Sequence, residues 1–266
     1  MRVAAVQLNS TPDPTRNLAK ARELFDEAVQ TGADLVAFPE FFLLLSDSSK
    51  DYKTHTRQSL AMWVETLQEW AAESGVWMLA GSLPFPATPP KVFNRSLLID
   101  ADGKIRASYD KIHLFDVTVQ GDQTYKESRH MVPGKKVVTP KTPWGRIGMT
   151  ICYDLRFPEL FRKHSAAGAK VIFIPSAFTE KTGQAHWDAL TRASAIENQC
   201  YVVCPAQTGS PYPGRETYGH TRIIDPWGRV IAERPKGDGV VWADLDFEKL
   251  DTIRRDLPAL KHRRLK

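Results

Sequence analysis

Three things are scarce in this chain of 266 residues: cysteines, long apolar runs and an excess of either charge over its main body. Three cysteines are too few for a disulfide framework, which predicts a reducing, cytoplasmic setting. No apolar run reaches the roughly 20 residues that a transmembrane helix needs. The N-terminal stretch MRVAAVQLNS is too short for the apolar part of a signal peptide. The sequence therefore predicts neither a membrane protein nor a secreted one.

Positive charge is concentrated at the C-terminal end. The chain has 36 Lys and Arg against 31 Asp and Glu, a net charge of +5. Residues 254–266 contain six basic residues and one acidic residue, so they account for the whole excess. A nucleic-acid-binding protein would carry a basic face on its fold instead. We therefore expect no nucleic-acid partner, and a basic tail at 254–266 that is solvated or packed against a partner.

Predicted strands alternate with predicted helices along the chain. The strands lie at 2–8, 35–38, 76–81, 92–100, 105–110, 146–151, 171–174, 201–205, 217–224, 230–232 and 240–245, and the helices at 17–30, 59–73, 157–167 and 185–199. This order predicts an α/β fold. No linker rich in Pro, Gly or Ser interrupts the chain, so we expect one domain over 1–266. The strings TGADLVAFPE and AGAKVIFIPS resemble each other and predict two similarly built sheets packed face to face.

Cys152 is the first candidate for chemistry. It follows the predicted strand 146–151 and precedes a helix that is predicted to begin near Arg156. Ligands bind at strand ends in α/β proteins, and a helix N-terminus or a cation can ionise a thiol there. The polar residues that follow at once favour a nucleophile over the alternative, a small buried apolar side chain.

Glu40 also ends an apolar strand, and Lys111 follows the predicted strand 105–110. Burial among phenylalanines would raise the pKa of the Glu40 carboxyl and favour a general base. A lysine beside a thiolate would supply fixed positive charge to an oxyanion. The alternatives are a rim carboxylate or helix cap for Glu40 and a solvated side chain for Lys111. Cys200 and Cys204 lack nearby histidines, and no glycine-rich phosphate motif is present, so we expect no metal and no cofactor.

The three residues resemble the Glu–Lys–Cys triad of the nitrilase superfamily of carbon–nitrogen hydrolases. The strings around them, FPEFF, YDKIHLFDV and CYDLRFPEL, are similar to that family, as is the chain from AVQL to its final strand. More specific strings resemble the branch that contains the deaminated glutathione amidases and omega-amidases: AHWDALTRASAIENQCYVV, AQTG, YGH, DPWG and LPALKHRR. True nitrilases usually continue the cysteine motif with Trp-Glu. The pair Tyr153-Asp154 departs from this and speaks against nitrile hydrolysis.

The resemblance implies a four-layer αββα sandwich and a homodimer whose central sheets continue across the interface, with no cofactor. It also implies a role for each site residue. Cys152 would be the nucleophile, Glu40 the general base and Lys111 the oxyanion stabiliser, while Glu127 would orient the site. The backbone N–H of Tyr153 would be a second oxyanion donor.

The implied substrate is a small-molecule amide that carries a 2-oxo acid. Arg156 is the candidate anchor for its carboxylate, because guanidinium binds carboxylate in a bidentate manner; the alternative is structural pairing with Glu159 or Asp154. Phe178 and Thr182 are expected to line the pocket, together with Tyr153. Three functions stay open: an amidase for deaminated glutathione, an omega-amidase acting on 2-oxoglutaramate, and a non-catalytic binding module.

Overall fold

The computed structural model describes residues 1–119 and 123–265, so parts of the predicted irregular segment 112–133 and Lys266 lie outside the described residues. The helices are α1 (Pro14–Gln30), α2 (Ser49–Gln58), α3 (Leu60–Ser74), α4 (Pro158–Ala166), α5 (Glu180–Asn198) and α6 (Phe247–Asp256). The first eight strands are β1 (Arg2–Gln7), β2 (Leu35–Ala37), β3 (Trp77–Pro86), β4 (Val92–Ile99), β5 (Ile105–Asp110), β6 (Asp116–Thr118), β7 (Thr124–Lys126) and β8 (Lys141–Thr142). The others are β9 (Gly145–Met149), β10 (Ala169–Phe173), β11 (Tyr201–Cys204), β12 (Thr208–Tyr212), β13 (Arg215–Tyr218), β14 (Thr221–Ile224), β15 (Val230–Arg234) and β16 (Gly239–Asp244). No helix of the described residues is long and apolar enough to cross a bilayer.

Most strands belong to two six-stranded sheets. Their orders are β16-β1-β2-β3-β4-β5 and β15-β14-β11-β10-β9-β8. The central strands β2 and β10 each lie between two parallel neighbours. These two strands come from the two similar strings of the sequence, so the predicted pair of similarly built sheets is confirmed. The hairpins β6–β7 and β12–β13 lie outside both sheets.

Alternate residues of the central strands face different layers. In β1, Val3 and Ala5 belong to a buried cluster that includes Phe173 of the second sheet. Ala4 and Val6 belong to a separate cluster with the apolar faces of α1 and α3. On the second sheet, α4 packs on β9 and β10, and α5 packs on β11. The result is the four-layer αββα sandwich that the sequence resemblance implied.

Helix starts differ from the prediction because polar caps, not apolar residues, fix them. Asp13 accepts the backbone N–H groups of Thr15 and Arg16 at 2.9 and 3.2 Å, so α1 begins at Pro14 rather than residue 17. Thr179 caps α5, which begins five residues before the predicted start. Helix α2 was missed because Tyr52 is its only buried residue, which leaves no apolar stripe to detect.

The predicted strand 217–224 is wrong. The segment is divided between β13 and β14, and the break falls at Gly219 and His220. Both residues have positive φ angles, 76° and 56°. A continuous strand cannot contain such angles. The chain therefore leaves the β12–β13 hairpin and turns sharply into the second sheet.

The basic segment 254–266 begins inside α6 and is not solvated throughout. The Arg254 guanidinium donates to the backbone carbonyls of Gln199 and Ala169, each at 2.8 Å. Burial lowers the pKa of Arg254 from its usual value. The first residue of the predicted tail is thus packed on the chain's own body.

Candidate active site

Three of the predicted catalytic residues lie just after the ends of strands. Glu40 follows β2, Lys111 follows β5 directly, and Cys152 follows β9. Because the two sheets pack face to face, these ends open on one cavity of about 220 Å³. All eight side chains predicted from the sequence line it: Glu40, Lys111, Glu127, Cys152, Tyr153, Arg156, Phe178 and Thr182.

A buried cation lies between two carboxylates in this cavity. The Lys111 Nζ atom is 2.8 Å from Glu40 Oε1, and it is 2.8 and 3.1 Å from the two oxygens of Glu127. The Lys111 and Glu40 side chains are only 2% and 4% exposed. Burial opposes the charge on Lys111, but the two carboxylates outweigh it and raise the pKa of Lys111 well above its usual value. The ammonium is therefore a fixed positive charge.

Asn94 completes this cluster, and sequence reasoning missed it. Its Nδ2 atom donates to Glu40 Oε1 at 2.9 Å and to Glu127 Oε1 at 3.2 Å. Asn94 lies in β4 on the side of the strand that also buries Val92 and Ser96. A buried amide needs hydrogen-bond partners. The asparagine in a buried strand position was the signal that could have identified it.

Cys152 has an unusual backbone conformation. Its φ is 50°, a region that non-glycine residues rarely adopt, and its N–H donates to Pro175 O at 2.9 Å. The thiol shares the cavity with the Glu40 carboxylate and the Lys111 ammonium. Burial and the Glu40 charge raise the pKa of Cys152 well above its usual value, and the nearby Lys111 offsets this only in part. Burial and the Glu40 charge therefore favour the protonated thiol in this site.

The predicted helix near Arg156 is a short 3-10 helix, Cys152–Arg156, and α4 starts only at Pro158. Arg156 thus ends the turn that carries the nucleophile. Within the described ranges, no carboxylate lies within 4.0 Å of its guanidinium, so pairing with Glu159 or Asp154 is not observed. Its two terminal nitrogens each lie 3.3 Å from His186 Nδ1. The guanidinium carbon instead lies 5.5 Å from the ring centre of Phe178 and 5.8 Å from that of Tyr153.

The Asp154 carboxylate stabilises the turn that carries Cys152. This fully buried carboxylate accepts hydrogen bonds from Tyr109 Oη at 2.6 Å, His113 Nδ1 at 2.7 Å and the Ile151 N–H at 2.9 Å. Bonds to a buried carboxylate are strong. They fix the backbone on both sides of Cys152.

The loop that carries Glu40 is held against β3. A Cβ on Gly81 would lie 2.0 Å from Phe38 O and 2.2 Å from Pro39 O, which is far inside van der Waals contact. From the other side, Gln207 Nε2 donates to the Glu40 carbonyl at 3.0 Å. Only glycine at position 81 lets the loop approach this closely.

Aromatic packing fixes the wall of the cavity. The Phe178 ring centre lies 4.7 Å from that of the buried Trp187. Tyr153 meets Phe115 edge-on with 5.1 Å between ring centres. Thr182 is buried in the first turn of α5, and its N–H donates to the Thr179 hydroxyl at 3.2 Å. These side chains form a mostly apolar surface beside the charged cluster.

The family model described as Carbon-nitrogen hydrolase matches residues 2–255. Together with the αββα sandwich and the buried cysteine site, this match defines the class of protein. The chain belongs to the carbon–nitrogen hydrolase family, and it is a hydrolase that acts on carbon–nitrogen bonds.

Three individual proteins illustrate the similarity. A deaminated glutathione amidase from Synechocystis is 43% identical over 264 residues, which cover 98% of this chain and 97% of that protein. The structure of Nit3 from Saccharomyces cerevisiae, a member of branch 10 of the nitrilase superfamily, matches with a TM-score of 0.89 and 32% identity, covering 100% of this chain and 97% of that one. A mutant of the amidase from Nesterenkonia matches with a TM-score of 0.83 and 26% identity, covering 99% and 94%. In that structure the acetamide moiety of fluoroacetamide is covalently added at the active-site cysteine.

Proposed function

We propose that this protein is an amidase that hydrolyses deaminated glutathione to 2-oxoglutarate and cysteinylglycine, without a cofactor, through an acyl-enzyme on Cys152. One observation carries the chemistry: Cys152 and Glu40 line the same cavity, and Glu40 Oε1 lies 2.8 Å from the Lys111 ammonium. The substrate is supported by the 43% identity to the amidase from Synechocystis over 98% of the chain.

In the first half-reaction Glu40 accepts the thiol proton as Cys152 Sγ attacks the amide carbonyl. A tetrahedral oxyanion forms beside the Lys111 ammonium. The Tyr153 N–H lies in the first turn of a 3-10 helix, where backbone donors lack helical partners, and it is the second oxyanion donor. Collapse of the intermediate breaks the carbon–nitrogen bond. Glu40 returns its proton to the departing amine of cysteinylglycine, and the acyl group stays on sulfur as a thioester.

In the second half-reaction Glu40 takes a proton from water, which attacks the thioester carbonyl. The same two donors hold the second oxyanion. Collapse releases 2-oxoglutarate, and the proton returns to the Cys152 sulfur. Glu40 thus serves as a base and then as an acid in each half-reaction.

Glu127 and Asn94 position the reacting groups and do not exchange protons. Glu127 holds Lys111 through both of its oxygens, and its Oε2 atom also accepts the Phe115 N–H at 2.7 Å. Asn94 bridges the two carboxylates. The Lys111 ammonium is therefore held in one position, beside the site of the oxyanion.

The substrate's 2-oxo acid is bound by Arg156, whose guanidinium has no competing carboxylate in the described part of the chain. Tyr153 and Phe178 pack on the carbon chain of the substrate. The Thr182 side chain closes the end of the cavity beside them. A negatively charged amide is thereby preferred over a neutral one.

The test is a side-by-side measurement of kcat/KM on deaminated glutathione and 2-oxoglutaramate. We expect a clear preference for deaminated glutathione. A preference for 2-oxoglutaramate would make the protein an omega-amidase. Absence of a covalent adduct at Cys152 with either compound would contradict hydrolysis through this residue and leave a binding module.

We further propose a homodimer of single-domain subunits in the cytoplasm. Three exposed apolar side chains on or beside α5 support an interface: Ile196, Trp227 and Leu257. All three cysteines are free thiols, which supports a reducing compartment. Light scattering of the purified protein tests the dimer, and a monomeric mass at micromolar concentration would contradict it.

A further inference from the structure

Another arginine, Arg215, lines the same cavity and has no charged partner among the described residues. It lies in β13, is only 7% exposed, and donates from Nη2 to Ala177 O at 2.6 Å. Its guanidinium carbon lies 4.6 Å from the ring centre of Tyr125. Between residues 1–119 and 123–265, no carboxylate lies within 4.0 Å of it, and its buried Nε atom lacks a hydrogen-bond partner.

An unpaired guanidinium is costly to bury. Arg222, which follows it in β14, shows the usual solution: it is equally buried but bonds to Asp188 and Glu233. Among the described residues, the Arg215 guanidinium contacts the Ala177 carbonyl and the Tyr125 ring. Most of its five N–H donors have no hydrogen-bond acceptor there. Its remaining donors suit an anion that enters the cavity.

Arg215 is anchored next to the nucleophile. The Cys152 N–H donates to Pro175 O at 2.9 Å, and the carbonyl of Ala177, two residues further along the chain, accepts from Arg215. The hairpin that carries Arg215 is joined to this segment by a bond from the Tyr218 N–H to Phe178 O at 3.0 Å. The guanidinium therefore has a fixed position on the same chain segment, 175–178, that contacts the Cys152 backbone.

We propose that Arg215 binds the terminal carboxylate of the cysteinylglycine portion of the substrate, an inference that rests on the proposed function. Deaminated glutathione has two carboxylates. Three arginines line the cavity, but Arg129 is exposed, so Arg156 and Arg215 are the two that are at least partly buried and have no carboxylate partner among the described residues. Arg156 lies in the nucleophile's own turn, so it suits the acyl part that stays bonded to sulfur. Arg215 lies on a separate hairpin and suits the part that departs. 2-Oxoglutaramate has no second carboxylate, so Arg215 makes the site selective for the larger substrate.

The experiment compares deaminated glutathione with its C-terminal amide, which lacks only the second carboxylate. We expect Arg215→Met to lower the ratio of kcat/KM for the acid over the amide on the order of 10- to 100-fold, the usual effect of hydrogen bonds to a charged group. Arg215→Lys keeps the charge without the planar fork and should give a smaller fall. An unchanged ratio, or equal losses on both compounds, would overturn the proposal, because either result assigns Arg215 a structural role.

Arg146→Met is the matched control. Arg146 also donates to a backbone carbonyl, that of Thr139 at 2.9 Å, but it is exposed and outside the cavity. The ratio should not change in this variant.

A binding measurement separates this proposal from the proposed function. If the unmodified protein does not hydrolyse deaminated glutathione, the proposed function fails. Calorimetry of the Cys152→Ala protein with cysteinylglycine and with cysteinylglycinamide then decides the role of Arg215. Tighter binding of the acid by about 10-fold or more, lost on adding Arg215→Met, supports it. Equal binding of acid and amide overturns it.

Discussion

Glu40 Oε1 lies 2.8 Å from Lys111 Nζ, and both side chains are almost completely removed from solvent. In such a place neither charge is stable alone, because the cost of taking an ion out of water is several kcal/mol unless a partner compensates it. The Glu40 carboxylate and the Lys111 ammonium thus stabilise each other and form a single unit. This coupling shapes the expected behaviour of variants at either position.

Glu40→Gln and Lys111→Arg should each lower kcat/KM at least about 100-fold. Glutamine keeps the size of the side chain but cannot accept a proton, so both half-reactions stall. Arginine keeps the charge but displaces it from the oxyanion. Steady-state kinetics of the folded variants measure this, with the exposed Glu73→Gln and Lys141→Arg as controls. A loss below about 5-fold would remove that residue from the catalytic machinery.

Asn94→Ala should lower kcat about 10- to 100-fold, because it deletes hydrogen bonds to two buried carboxylates. Since Asn94 is a positioning residue, KM should change little and the pH profile of kcat should shift. Ser96→Ala is the control, because Ser96 is buried in the same strand and its hydroxyl has no partner in the described residues. A normal kcat and pH profile in Asn94→Ala would show that Lys111 and Glu127 hold Glu40 without it.

Cys152 should be the only thiol whose alkylation abolishes activity. Cys200 and Cys204 are fully buried and do not line the cavity, whereas Cys152 does. Iodoacetamide is itself a primary amide and fits the site. Peptide mapping after partial treatment should show activity loss in proportion to modified Cys152. Loss that follows Cys200 or Cys204 would disprove the assignment. Cys152→Ala should fold normally and bind substrate without turnover.

Arg156→Met should weaken the preference for 2-oxoglutaramate over a carboxylate-free amide of equal length by about 1.5–3 kcal/mol. The guanidinium is the charged group of the nucleophile's turn that faces the cavity, and it has no carboxylate partner among the described residues. Arg156→Lys keeps the charge but loses the bidentate contact, so its effect should be smaller. An unchanged ratio of kcat/KM in a folded Arg156→Met protein would show that another cation holds the 2-oxo acid.

Stability should fall with pH above 9 because of Cys200. Its pKa is raised from 9.0 to about 12 by burial, so between these values the unfolded chain releases a proton that the folded chain keeps. Unfolding then becomes easier as pH rises, by about 1.4 kcal/mol per pH unit for this thiol. Urea unfolding at pH 8.5, 9.5 and 10.5 measures the slope. Cys200→Ala should reduce it, and an unreduced slope would contradict the buried thiol as its source.

The strand–helix rhythm and the position of the triad could be predicted because each depends on local signals. Cys152 comes directly after the apolar strand predicted at 146–151, and Lys111 comes directly after the strand predicted at 105–110. Asn94 and Arg215 could not be assigned this way, because their partners lie 33 to 54 and 38 residues away in the chain. Their roles depend on how sheets and hairpins meet. The pKa of Cys152 likewise depends on a balance of buried charges that no short segment contains.

The net charge of the site affects how Cys152 responds to oxidants between turnovers. Two carboxylates, Glu40 and Glu127, surround one ammonium, Lys111, so the cluster already has a formal charge of −1 when Cys152 is neutral. Ionising the thiol would add a second uncompensated negative charge in a buried place. Hydrogen peroxide attacks thiolates and leaves neutral thiols largely intact. In the proposed mechanism the cysteine therefore resists oxidation while the site is empty, and it reacts only when an amide carbonyl arrives and Glu40 takes its proton.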